Sequence, residues 1–157
     1  MKITILSLML LLIFSACQGT KTNSNEEKND CPMNVEYSAW NSKIFVRDGK
    51  ITYTRIIDQA QGVVAHDIVG NETILDNVEL SEEQLKDLAQ KVKDSGFLDL
   101  EKEVYGADEN QRYYPYSIKV EMDCKTKEVL HRSNPEYEGA PEQFKIVEKA
   151  MFELTKK

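Results

Sequence analysis

After Lys2 the chain is apolar at Ile3, Ile5, Leu6, Leu8, Met9, Leu10, Leu11, Leu12, Ile13 and Phe14. A basic tip followed by an apolar run too short for a comfortable membrane span has the form of a cleavable export signal, which sets residues 1–16 apart from the fold. Residues 18–30 then contain no large apolar side chain. They bury nothing and are expected to form a disordered tether, which as a flexible coil extends on the order of 20 Å.

Beyond residue 30 the pattern changes to short alternating runs. Asp48-Gly49 stands between two of them, and a two-residue hairpin turn there pairs Val46 with Ile51 and Ile44 with Tyr53 on one apolar face. Residues 61–69 and 72–78 read as a second hairpin around Gly70-Asn71. Ser81 and Gln84 have the spacing of a capping box, with Leu80 and Leu85 as a hydrophobic staple, so a helix starts here. Leu85, Leu88, Ala89 and Val92 recur on one helical face until Gly96 ends it in the left-handed conformation, letting Phe97 fold back on Val92.

Tyr116, Ile118, Val120 and Met122 alternate with Ser117, Lys119, Glu121 and Asp123, the signature of a strand with one buried face. Residues 127–132 return beside it through a turn at Cys124-Lys125-Thr126. Pro141 suits a first helical turn, after which Phe144, Val147, Met151 and Leu154 form a stripe, with Lys156 and Lys157 at the carbonyl end. Strands, helix, strands and helix, without repeated strand-helix-strand units, predict an α+β domain over residues 31–157. The expected architecture is an antiparallel sheet built from hairpins with two amphipathic helices packed on one face.

Phe14-Ser15-Ala16-Cys17, at the end of the apolar run, resembles the lipobox of bacterial lipoproteins, with Phe14 where leucine is usual. That resemblance implies a diacylglycerol on the Cys17 thiol, cleavage after Ala16, and residues 17–30 as a lipidated tether. The competing reading is ordinary secretion with Cys17 as a stray thiol. Each buried methylene contributes about 0.8 kcal/mol, so two or three acyl chains anchor firmly. Membrane lipid is thus an expected partner through Cys17. By the same resemblance to lipoprotein sorting in double-membrane bacteria, Gln18 rather than Asp after the acceptor implies the outer membrane of the cell envelope.

The domain itself is similar to small envelope lipoproteins known mainly from Bacteroidota that carry an uncharacterised α+β domain. The likeness rests on Cys31-Pro32, the Asp48-Gly49 hairpin, Leu80-Ser81-Glu82-Glu83-Gln84-Leu85, Gly96-Phe97 and the last amphipathic helix. Each of these is a folding signal and none is chemical, so the resemblance implies a fold and no activity.

Charge and cysteines narrow the picture. A net charge of −7 repels phosphate backbones, which argues against nucleic acid as a partner. With Cys17 acylated, Cys31 and Cys124 remain in an oxidising compartment and are disulfide candidates, the alternative being two unpaired thiols. Neither has a Cys or His at metal-ligand spacing, and nothing calls for a metal or a cofactor.

No catalytic motif is present. His66, beside Asp67, and His131, beside Arg132, have no nucleophile at hand in the sequence. Glu101, Glu103, Asp108, Glu109 and Asn110 crowd one loop without a recognised ligand spacing, and read as solvated acid. Tyr113-Tyr114-Pro115-Tyr116 is the most distinctive segment, because aromatic rings at a loop-to-strand junction anchor partners at small entropic cost. Alternation turns Tyr114 and Tyr116 inward and leaves Tyr113 exposed; Trp40 is a further binding candidate. The competing arrangement packs all these rings on the sheet.

Three functions follow as expectations. The first is a non-enzymatic, membrane-tethered module binding an envelope protein or polymer through Tyr113, Tyr114 or Trp40. The second is a secreted hydrolase or metal-dependent enzyme in which the acidic loop meets His66 or His131. The third is an inhibitor of an envelope or host hydrolase that inserts Tyr113-Tyr114-Pro115 as a protruding loop.

Overall fold

The computed structural model describes residues 31–58 and 68–156; the export run, Cys17, the tether, His66 and most of the strand expected over 61–69 lie outside them. In chain order the elements are β1 (Asn34–Ala39), β2 (Ser42–Arg47), β3 (Lys50–Asp58), β4 (Ile68–Glu79), α1 (Glu82–Ser95), β5 (Val104–Gly106), β6 (Tyr114–Met122), β7 (Lys125–Ser133) and α2 (Glu142–Leu154). A short 3₁₀ turn, Phe97–Asp99, follows α1. One seven-stranded sheet, in the order β4-β3-β2-β1-β6-β7-β5, makes this a mixed α+β fold dominated by strands. The sheet is mostly antiparallel. Its exception corrects the expectation of an antiparallel sheet: β5 pairs parallel with β7, Val104 opposite Leu130.

The Asp48-Gly49 turn places Val46 opposite Ile51 and Ile44 opposite Tyr53. Both turn residues have positive φ, 50° and 75°, as a tight turn matched to strand twist requires. The turn expected at Cys124-Lys125-Thr126 is instead the two residues Asp123-Cys124, at φ 51° and 60°, so β7 already begins at Lys125. Nor do Gly70-Asn71 turn the chain. They lie inside β4 opposite Ile57 and Ile56, because the long β3 offers a continuous ladder on which an extended partner satisfies its backbone. Irregular register near Tyr53 and a positive φ at Asn77, whose N–H donates to Thr52 Oγ1 at 3.3 Å, absorb the mismatch.

The central strand β1 has no counterpart in the sequence reading. Val35, Tyr37 and Ala39 are buried and alternate with Asn34, Glu36 and Ser38. β1 joins the two hairpin groups by pairing with β2 on one side and with β6 on the other, Tyr37 opposite both Ile44 and Ile118.

Alternate residues of β1, of β2 and of the second half of β6 are buried, and the apolar ones share one cluster with Leu88 and Val92 of α1, with Phe97, and with Phe144, Val147, Ala150 and Met151 of α2. α1 has both halves of its capping box: Ser81 Oγ accepts from Gln84 N–H at 3.2 Å, and Gln84 Oε1 accepts from Ser81 N–H at 2.9 Å. Gly96 closes it at φ 71°. Lys91 lies 2.9 Å from both Asp87 and Glu153, tying α1 to α2; those two carboxylates hold its ammonium charged to higher pH than usual.

Two ends of the sheet differ in kind. At one, the Asp48-Gly49 and Asp123-Cys124 turns meet the beginning of β1, and Cys31 is bonded to Cys124 with Cα atoms 5.3 Å apart. At the other lie the Trp40-Asn41 turn between β1 and β2, the start of β6 and the end of β7. The six residues of β1 separate the two ends by about 20 Å.

Candidate functional site

The chemistry-bearing side chains gather at the second end. Trp40 occupies the two-residue turn between β1 and β2, and the Ile56 N–H donates to the Asn41 carbonyl at 2.9 Å, fixing that turn against β3. Beside it, Ser42 is buried and its hydroxyl donates to Asn41 Oδ1 at 3.3 Å. Tyr114 is the first residue of β6, opposite Ser133. The chain on either side of this pairing is closed by Asn134, whose Nδ2 donates to the Arg112 carbonyl at 2.9 Å. Two rings therefore project from backbone that is held on both sides.

Trp40 is 45% exposed and Tyr114 53% exposed, and their ring centroids lie 5.9 Å apart with planes tilted by 47°. This reverses the expected orientation of the tyrosines. Tyr114 does share its strand face with the inward Tyr116 and Ile118, but it stands at the end of the sheet and is left exposed there. Tyr113 is half-buried instead, with the Arg132 guanidinium 5.4 Å from its ring centre. A cation over an aromatic face is attracted by the ring quadrupole, and that contact occupies Tyr113. The protruding loop expected at Tyr113-Tyr114-Pro115 is absent: Tyr114 and Pro115 belong to β6, in register with Ser133 and Arg132.

Beneath the exposed pair the aromatics continue inward. The Tyr116 and His131 rings are 6.1 Å apart, and His131 meets Phe144 at 6.0 Å. Burial pushes the His131 pKa down, the Glu138 backbone carbonyl opposes that by accepting from the imidazole, and Lys145 adds to the fall. Tyr37, 2% exposed, packs edge-on to Phe152 at 5.1 Å, and its hydroxyl is paired with the Glu148 carboxyl. Burial and the neighbouring carboxylate push the Tyr37 hydroxyl far up, so it stays protonated and donates. Burial also raises the Glu148 pKa, and the Tyr37 hydrogen bond offsets part of the rise.

The acidic residues do not join this group. Glu101, Glu103, Asp108, Glu109 and Asn110 are exposed, and the region is not wholly a loop, since β5 runs through it. Glu103 lies 3.8 Å from Lys127, while no carboxylate is among the groups that shift His131. No cluster of three His, Cys, Asp or Glu side chains among the described residues is placed to hold a metal ion. An open hollow of about 430 Å³ lies at the disulfide end, lined by Met33, Leu85, Ala89 and Met122 with Asp48 and Lys93 at its edge. It contains neither histidine nor any of the aromatic candidates.

Sequence reasoning singled out Trp40, Tyr113 and Tyr114 one by one. It missed the pairing of Tyr37 with Glu148, for which the only signal was an acidic residue within one turn of the Phe144, Val147, Met151 stripe. No helix among the described residues is long and apolar enough to cross a membrane. No protein-family model matches the chain, and no curated protein matches it.

Proposed function

We propose that this chain is an envelope lipoprotein whose acylated Cys17 anchors a non-enzymatic binding module to the membrane, in keeping with an outer-membrane placement. In this reading the sheet carries its two helices on one face and offers its end, through Trp40 and Tyr114, to an envelope protein or polymer. One observation supports it above the others: two large rings stay exposed, side by side, on backbone held from both sides. Uncovered aromatic surface costs free energy in water, while rings carried on held backbone leave less of the chain to be ordered on binding. Their position at the end remote from Cys31 keeps the pair clear of the point where the tether joins.

The anchor and the binding surface are tested together. Replacement Cys17→Ser moves the protein from the membrane fraction to the soluble one, and mass spectrometry finds the native mature chain beginning at an acylated Cys17. Native protein stays with the envelope residue left after detergent extraction, whereas the Trp40→Ala/Tyr114→Ala variant is extracted. Equal retention of the two would refute the binding role; an unmodified N-terminus would refute the anchor.

A further inference from the structure

We infer that Trp40 and Tyr114 form a stacking platform for an uncharged envelope polysaccharide, the two rings taking the apolar faces of neighbouring pyranose units. This rests on reading the domain as a tethered binding module and names the chemistry of its partner.

The composition of the surface selects the ligand class. Among the described residues, the other exposed large apolar side chains are Ile74 and Val78 on β4, Val104 on β5 and Ile146 on α2, none of them on the Trp40-Asn41 turn or on β6. Among the described residues the two rings thus stand without an exposed aliphatic surround. A protein partner needs anchors embedded in a broader water-excluding patch, because a hot spot contributes strongly only when its rim keeps water out. A sugar does not. Its C–H face is apolar and its edge carries hydroxyls, so it lies flat on an electron-rich ring while the edge stays hydrated or bonds to neutral groups nearby. The Asn41 amide, next to Trp40 in the turn, is a neutral group of that kind.

Charge and placement restrict it further. The chain carries a net −7, which disfavours anionic polymers. Of the nearby cations, Arg132 lies over Tyr113, engaged with that ring, while Arg112 and Arg55 are exposed, so the anionic control tests this exclusion directly. Cys31, where the tether joins, lies at the opposite end of β1, so the platform is clear of the attachment point. The Ile56-to-Asn41 and Asn134-to-Arg112 hydrogen bonds hold the backbone beside both rings, whose centroids lie 5.9 Å apart with planes tilted by 47°.

Trp40 is the chain's single tryptophan, so its emission reports on the platform alone. The full chain, purified from membranes in a detergent without sugar headgroups, is titrated with neutral hexasaccharides of glucose (β-1,4 and α-1,4), N-acetylglucosamine and xylose, and with an oligogalacturonate as anionic control. At least one neutral oligomer is expected to shift the emission saturably while the control does not. Tyr114→Ala should weaken that binding at least tenfold, about 1.4 kcal/mol, and Tyr114→Phe should stay within about twofold, both with native circular dichroism. Silence from every neutral oligomer, binding of the anionic control alone, or undiminished binding by Tyr114→Ala overturns the inference. If the sugars are silent but the Trp40→Ala/Tyr114→Ala variant still loses envelope retention, the partner is a protein, and the binding module stands without its glycan. If retention is also unchanged, both readings fall.

Discussion

Gly106 runs so close to Arg132 that a β-carbon placed on it would overlap the Arg132 carbonyl oxygen and lie 2.9 Å from the carbonyl carbon. Its φ of 91° is also one that side-chain-bearing residues seldom adopt. This contact seats β5 against β7, where the Ala107 N–H donates to the same carbonyl at 2.9 Å.

Gly106→Ala should therefore destabilise the domain by about 2–4 kcal/mol, combining strain at positive φ with the displaced parallel pairing. Gly139→Ala, where an added β-carbon meets nothing within 4 Å, should stay within about 0.5 kcal/mol of native. Urea denaturation of the two variants measures both. Equal stabilities would mean that β5 contributes little.

The Cys31–Cys124 bond closes a loop of 93 residues in sequence separation, for which chain entropy predicts about 4–5 kcal/mol of stabilisation. A Cys31→Ser/Cys124→Ser variant should lose about 2–5 kcal/mol and match the native chain unfolded in reductant. A variant as stable as the oxidised protein would show that the β1–β6 pairing already supplies the constraint.

Glu148 titrates higher in the folded chain than its ordinary 4.5 because it is buried. A raised carboxyl takes up a proton more readily folded than unfolded. Its contribution is full below 4.5 and is lost as pH rises through the higher folded value. Glu148→Gln keeps an acceptor for the Tyr37 hydroxyl and removes the charge, so its stability relative to native should improve steadily from pH 4.5 toward neutrality. Denaturation midpoints measured across that range check the slope. A difference independent of pH would place the carboxylate in water.

His131 has the opposite sign. Burial beside Tyr116 and Phe144 lowers its pKa below 6.5, so the unfolded chain binds the proton first and stability falls as pH drops below 6.5 toward the folded value. Imidazole shifts followed by NMR should show His131 titrating below 6.5. His131→Phe should remove this part of the acid loss.

Ser81→Ala removes the hydroxyl that accepts from Gln84 and should cost about 1 kcal/mol, read as a lower urea midpoint with unchanged slope. Ser81→Asp, which also caps, should restore it.

Much of the local structure was legible in the residues. Asp48-Gly49, the Ser81 to Gln84 box, Gly96 and the alternation from Tyr116 to Met122 each encode their element through contacts within a few residues, where backbone conformation and side-chain chemistry act directly. The misreadings at Gly70-Asn71 and at the β6–β7 turn show the limit even there. A glycine in extended backbone and a glycine in a turn look alike until a partner strand is known.

The sequence by itself determined the Asp48-Gly49 turn, the two caps of α1 and the apolar faces of α1, α2 and β6, and it marked Trp40, Tyr113 and Tyr114 as unusual. Tertiary structure alone decided that β1 joins two hairpin groups, that β5 lies parallel to β7, that Cys124 sits against Cys31, and that Tyr114 is left bare while Arg132 covers Tyr113. The physical reason is range. Turns and caps are settled by forces acting within one turn of chain, whereas burial of a given ring depends on which distant segment ends beside it, and no spacing along the chain records which segment that is.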